Sequence, residues 1–160
     1  MCKFLSFLKI FTEGTSPYKE GGLTGEVPSP RVAILPQNIV YDPVSRTLLI
    51  KDIEVVEVTD VGKTNSMEPA IDVGHRVLIS LDPLYSRKEV IKPGDVILYK
   101  STWGYNWVIH SVIEVGEDLL GWYCKAKGWN VKSEDPQVIR ENDITHVALG
   151  VIWCGKEDEP

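Results

Sequence analysis

The chain has 160 residues, 43% of them hydrophobic and 25% charged, which excludes a disordered tail, a collagen-like rod and a membrane bundle. That length fits one domain able to bury roughly 70% of the surface its unfolded form exposes. A formal net charge of −6, with no basic run, excludes nucleic-acid binding as the main role, because phosphate affinity comes mostly from Lys and Arg.

The first eleven residues, MCKFLSFLKIF, place Lys3 and Lys9 among the apolar Phe4, Leu5, Phe7, Leu8, Ile10 and Phe11. A membrane span needs about 20 apolar residues, and this run is far shorter. Thr12-Glu13-Gly14 supplies no small-residue cleavage site of the secretory kind. Two readings stay open: a short amphipathic helix docked on its own domain, or one resting on a membrane surface. The first fits a soluble, cytoplasmic protein, and the second gives peripheral membrane contact through residues 1–11. Gly14–Pro30 is rich in Gly, Pro, Ser and Thr and reads as a linker. The division is therefore a terminal segment and linker over 1–30 and a folded domain over 31–160. Cys2, Cys124 and Cys154 form an odd set without ligand-like spacing; free thiols are expected, with a Cys124–Cys154 bridge as the alternative.

From Arg31 onward, short runs rich in Val, Ile and Leu predict strands at Val32–Leu35, Asn38–Tyr41, Thr47–Ile50, Ile53–Val58, Arg76–Ser80, Asp95–Lys100, Trp107–Val115, Gly121–Ala126, Val138–Ile139 and Ala148–Trp153. Val40–Ile50 reads as a hairpin about Asp42-Pro43. Further turn signals fall at Asp82-Pro83, Lys92-Pro93-Gly94-Asp95, Gly116-Glu117-Asp118 and Asp135-Pro136. Helix is expected only as one turn around Met67–Ile71, after the candidate caps Asn65 and Ser66, and as a short piece over Ser86–Val90. Repeated amphipathic helices are missing, so the predicted class is all-β with one or two short helices.

Three segments carry residue types suited to chemistry. In Thr64-Asn65-Ser66-Met67-Glu68-Pro69, a serine sits in a loop beside a turn limited by proline, where its hydroxyl is held clear of the core. A helix-capping serine is the plainer explanation of that stretch alone. In Asn106–Val115, strand alternation puts His110 with Val108 and Val112 on one face. An imidazole there needs a hydrogen-bond partner, and its chemistry suits taking and returning a proton near neutrality. In Lys127–Pro136, Glu134 and Asp135 offer carboxylates that would fix the tautomer of such a histidine. His75 and His146 follow no ligand spacing, and no metal or other cofactor is expected.

Order and spacing together resemble the serine peptidase superfamily of type I signal peptidases and LexA-like self-cleaving proteins. The likeness is strongest to the archaeal and endoplasmic-reticulum signal peptidase branch, which uses histidine as base. It spans Val58 to Trp153 and rests on Ser66-Met67-Glu68-Pro69, Gly74 with Val77-Leu78-Ile79, Lys92-Pro93-Gly94-Asp95-Val96-Ile97, Ile109-His110, Lys127-Gly128, Asp135 and Gly150-Val151-Ile152. The resemblance implies a signal-peptidase-like catalytic domain over 31–160, with Ser66 as nucleophile, His110 as base and Asp135 as acid. Thr64 and Ser66 would form the oxyanion hole. The implied substrate is an extended peptide or protein segment with small residues before the scissile bond.

Departures from the family pattern are Trp129 and Val131 in the Lys-Gly-Asp-Asn-Asn loop, Asn65 for glycine, His75 for aspartate, Ser111 for arginine, and the missing membrane span. Asparagine tolerates left-handed backbone angles, so the change at position 65 is mild. Two other readings therefore stand beside an active endopeptidase. One is a non-catalytic peptide-binding relative, in which the Trp129 indole fills the cleft. The other is a LexA-like self-cleaving regulator whose Gly14–Pro30 segment reaches the site.

Overall fold

A computed structural model describes residues 30–31, 34–53, 56–104 and 106–154. The expectations for residues 1–11, for the linker before Pro30 and for Cys2 lie outside the described residues.

Among the described residues eight strands form: β1 (Ile39–Asp42), β2 (Thr47–Ile50), β3 (Val56–Asp60), β4 (Arg76–Ser80), β5 (Val96–Lys100), β6 (Trp107–Asp118), β7 (Gly121–Lys127) and β8 (Ile144–Ile152). The fold is all-β. Strands β1 and β2 make a separate hairpin, and the other six form one antiparallel sheet in the order β3-β4-β8-β5-β6-β7. Strand β8 is the joint of that sheet. Its C-terminal part pairs with β4, from Arg76↔Ile152 to Ile79↔Ala148, and its N-terminal part pairs with β5, from Ile97↔Val147 to Tyr99↔Ile144. Register shifts interrupt the β4–β8, β5–β8 and β6–β7 ladders, which increases local twist and coils the sheet.

Side chains alternate between two cores. Ile97, Tyr99, Val108, Val112, Cys124, Ala126, Ile139, Ile144 and Val147 pack on one face. Met67, Ile71, Val77, Ile79, Val96 and Ala148 pack on the other, with Leu98 and Ile109 against them. Strands β4 and β5 are thus buried on both faces, which is why they read as continuous apolar runs rather than as alternating patterns.

Several expected elements are corrected. The described part of the first expected strand, Ile34–Leu35, is not extended into a ladder. The segment Val138–Ile139 is reduced to a single bridge, Cys124↔Ile139. Met67–Ile71 is one hydrogen-bonded turn, Ile71 N–H to Met67 O at 3.0 Å, not a helix. The short helix expected over Ser86–Val90 is a 3-10 turn at Pro83–Ser86, because Asp82 accepts the Leu84 N–H at 2.9 Å and starts the turn earlier. Gly116-Glu117-Asp118 is strand, not turn. Gly116 faces Tyr123, and a Cβ there would lie 2.7 Å from the phenol ring, so the glycine makes room for a cross-strand aromatic. The chain reverses at Leu119-Leu120, where Asp118 accepts the Leu120 N–H and Gly121 takes φ 99°.

The Lys92–Asp95 turn anchors the start of the described domain. Asp95 is fully buried and accepts from the Arg31 guanidinium at 3.1 and 2.5 Å, from the Arg31 N–H at 3.2 Å and from the Lys92 N–H at 3.0 Å. Removing Arg31 would leave that carboxylate buried with its charge uncompensated. Arg31→Ala is expected to lower the unfolding free energy by about 3 kcal/mol in a urea titration, whereas an unchanged midpoint would contradict this account.

Cys124 and Cys154 are free, the first buried and the second exposed. Burial, and then the nearby Asp143 charge, push the Cys124 thiol up to about 12. Maleimide should modify Cys154 in the native protein and reach Cys124 only on unfolding, as read by peptide mass spectrometry.

Candidate active site

The loop that carries Ser66 runs from β3 to β4. Thr64 N–H closes a tight turn on Gly62 O at 2.9 Å, and Asn65 then takes a left-handed φ of 58°. That conformation sets Ser66 at the turn while its neighbour Met67 and, four residues further on, Ile71 are buried in the core below. The loop is held from its other side by the 128–131 segment. Asn130 N–H donates to Ser66 O at 2.9 Å, and the Asn130 carboxamide donates to Asn65 O at 3.0 Å.

His110 stands in β6 opposite Ile97 of β5, on the face that carries Val108 and Val112. Its side chain is 5% exposed and that of Asp135 4%. His110 Nδ1 lies 2.7 Å from Asp135 Oδ2 and 2.9 Å from Oδ1, and His110 Nε2 lies 2.9 Å from Ser66 Oγ. Since a carboxylate only accepts, Nδ1 carries the ring proton and the lone pair on Nε2 faces the serine hydroxyl. Thr64 Oγ1 is 3.2 Å from Ser66 Oγ. Asp135 is placed by its own N–H, which donates to Ala126 O at 2.9 Å and lays the loop along the free side of β7. Glu134, the other carboxylate considered, is instead exposed and faces Lys125 at 3.8 Å. Ser66, His110, Asp135 and Thr64 therefore converge from three separate segments, 44 residues separating the serine and the histidine and 25 the histidine and the aspartate.

His75 and His146 stand apart from this chain of contacts. His75 Nδ1 accepts the Asp72 N–H at 3.0 Å, and His146 lies on β8 in the floor of the groove.

Three contributors were not legible in the sequence. Tyr99 donates from its hydroxyl to Asp135 Oδ2 at 2.9 Å. Burial, and then the Asp135 charge, push this phenol far above its ordinary ionisation range, so it stays a donor. Asn130 ties the two loops together. Gly128 is a site of close approach, since a Cβ there would meet Ser66 O at 2.4 Å and His110 Nε2 at 2.9 Å. The alternation of β5, which puts Tyr99 on the face of His110, was the one available signal for the tyrosine.

Ser66 and His110 open into a groove of about 660 Å³. Glu57, Thr59 and Asp60 of β3 form one wall and Trp103, Trp107 and Val108 another, over a floor that includes Ile79 and Leu98. Val131 lines the groove, whereas Trp129 is 42% exposed and does not belong to the lining. The indole therefore leaves the groove open. Among the described residues no helix is long and apolar enough to cross a membrane. No protein-family model matches the chain, and neither a curated protein nor a solved structure matches it at a significant level.

Gly128→Ala should push the imidazole off Ser66 and break the Nε2–Oγ hydrogen bond while the sheet is kept. A crystal structure of the variant checks this: a separation beyond about 3.5 Å is expected, and an unchanged bond would show that the loop yields instead.

Proposed function

We propose that this protein is a serine endopeptidase of the signal-peptidase/LexA-like kind. The observation that carries the reading is the unbroken chain from Ser66 Oγ through the His110 ring to the buried Asp135 carboxylate, with hydrogen-bond separations at each link. Ser66 Oγ attacks a peptide carbonyl while His110 Nε2 takes its proton. The imidazolium, held by Asp135, then protonates the leaving amine, and water reverses the sequence to free the acyl group. The Ser66 N–H and the Thr64 hydroxyl are the donors assigned to the oxyanion, each such donor being worth about 3 kcal/mol in the barrier.

The substrate is an extended peptide segment. β3 pairs with β4 on one side only among the described strands, and three of its residues line the groove, so a peptide strand can add along that edge. The resemblance adds the expectation of small residues before the scissile bond. A non-catalytic relative loses its main support once Trp129 stands outside the groove.

Ser66→Ala removes the attacking atom and nothing from the core. Cleavage of a peptide with alanines before the scissile bond should fall by at least about a thousandfold, with an unchanged thermal midpoint. Equal turnover by the variant would refute the assignment.

A further inference from the structure

Tyr99 is fully buried in the core of β5, yet its hydroxyl reaches the one carboxylate that the proposed reaction depends on. We propose that Tyr99 is a positioning residue, whose O–H locks the Asp135 carboxylate so that His110 keeps Nε2 aimed at Ser66. The inference rests on the peptidase reading of the same site and assigns a residue that acts through Asp135 rather than on substrate.

The β5–β6 register produces the contact. Ile97 pairs with His110 and Tyr99 with Val108, so Tyr99 and His110 are diagonal neighbours on one sheet face. Asp135 enters between them from its loop. Its Oδ2 is shared, with the Tyr99 hydroxyl at 2.9 Å and His110 Nδ1 at 2.7 Å. Without the hydroxyl, the one hydrogen-bond partner of the carboxylate among the described residues is His110, the group it has to orient. Little solvent reaches the site to replace the missing donor, because the Asp135 side chain is 4% exposed. A phenylalanine would fill nearly the same volume, so the hydrogen bond is the separable part of the residue.

Trp103 stands in the groove wall beside this site. The segment carrying Trp103 is clamped by the buried Gln137, which accepts from Thr102 N at 2.8 Å and Thr102 Oγ1 at 3.1 Å and donates to Lys100 O at 3.1 Å. Gln137 lies two residues beyond Asp135, so the groove wall and the carboxylate form one braced unit.

The test uses the full chain and a fluorophosphonate probe, which reacts with an activated serine whatever the natural substrate. Labelling rates of Ser66 are compared in wild type, Tyr99→Phe, Asp135→Asn and the double variant, beside proton NMR of the His110 Nδ1–H. Tyr99→Phe should slow labelling about tenfold and have no further effect once Asp135 is asparagine, since residues acting through one another are not additive. The low-field Nδ1–H resonance should shift or broaden in Tyr99→Phe while the remaining amide spectrum is retained. Labelling at the wild-type rate with an unmoved resonance would overturn the proposal, as would equal slowing in both backgrounds. Loss of the native amide spectrum in Tyr99→Phe would assign the hydroxyl to folding and overturn it too. If wild-type Ser66 is not labelled, the peptidase reading fails, and the Nδ1–H resonance alone decides whether Tyr99 orients the pair.

Discussion

The placing of an imidazole and a carboxylate together on an apolar sheet face imposes conditions on everything around them. Either group alone in that position would cost several kcal/mol, so each must find partners within the fold. Asp135 finds the Nδ1–H of His110 and the hydroxyl of Tyr99. That choice fixes the tautomer of the ring, and the tautomer leaves Nε2 with a lone pair directed at Ser66. Which ring nitrogen is free to accept a proton is therefore set by how a buried charge is satisfied. The same condition explains why the surroundings are strand rather than loop: β5 and β6 supply the tyrosine and the histidine at a fixed diagonal, and β7 supplies the carbonyl of Ala126 that seats Asp135.

Much of the sheet was legible because its strands are buried on both faces or stripe cleanly. Arg76–Ser80 matches its run residue for residue, as does Thr47–Ile50 of the exposed hairpin, where β-branched and leucine content alone marks the strand. The failures share a cause, which is that glycine and leucine mean different things in different partners' company. Gly116 reads as a turn only until Tyr123 is known to lie across from it, and the real reversal is hidden behind two exposed leucines. Likewise the 3-10 turn begins where the Asp82 carboxylate competes for a backbone donor, three residues before the segment with the better helical composition. Local side-chain bonds to the backbone decide such boundaries, and they leave little trace in hydrophobic periodicity.

The candidate site divides in the same way. Ser66, His110, Asp135 and Thr64 could be named because each is a distinctive residue type in a distinctive local setting. The contacts made by Gly128, Asn130 and Tyr99 could not be named, even though Gly128 stands in the Lys127-Gly128 motif, because they exist only through distance. Gly128 matters because two loops pass within a methyl group of each other, and Tyr99 because of a ladder register that no single segment reveals. Even Asn65 fits this division, for its left-handed φ was compatible with the residue type but is required only by the turn that presents Ser66.

The departures of the 127–131 loop from the family pattern take on a physical meaning once its contacts are considered. Trp129 does not line the groove, and Val131 does. The two positions between and before them, Gly128 and Asn130, are those that touch the Ser66 loop, by close approach and by hydrogen bonds to Ser66 O and Asn65 O. The positions that differ from the resembled pattern are thus not those hydrogen-bonded to the serine loop, whereas Asn130, which agrees with it, is. With Met67 and Ile71 anchored in the core beneath, Ser66 is braced from two directions, and in the proposed reaction that preorganisation would spare the hydroxyl the cost of ordering its loop.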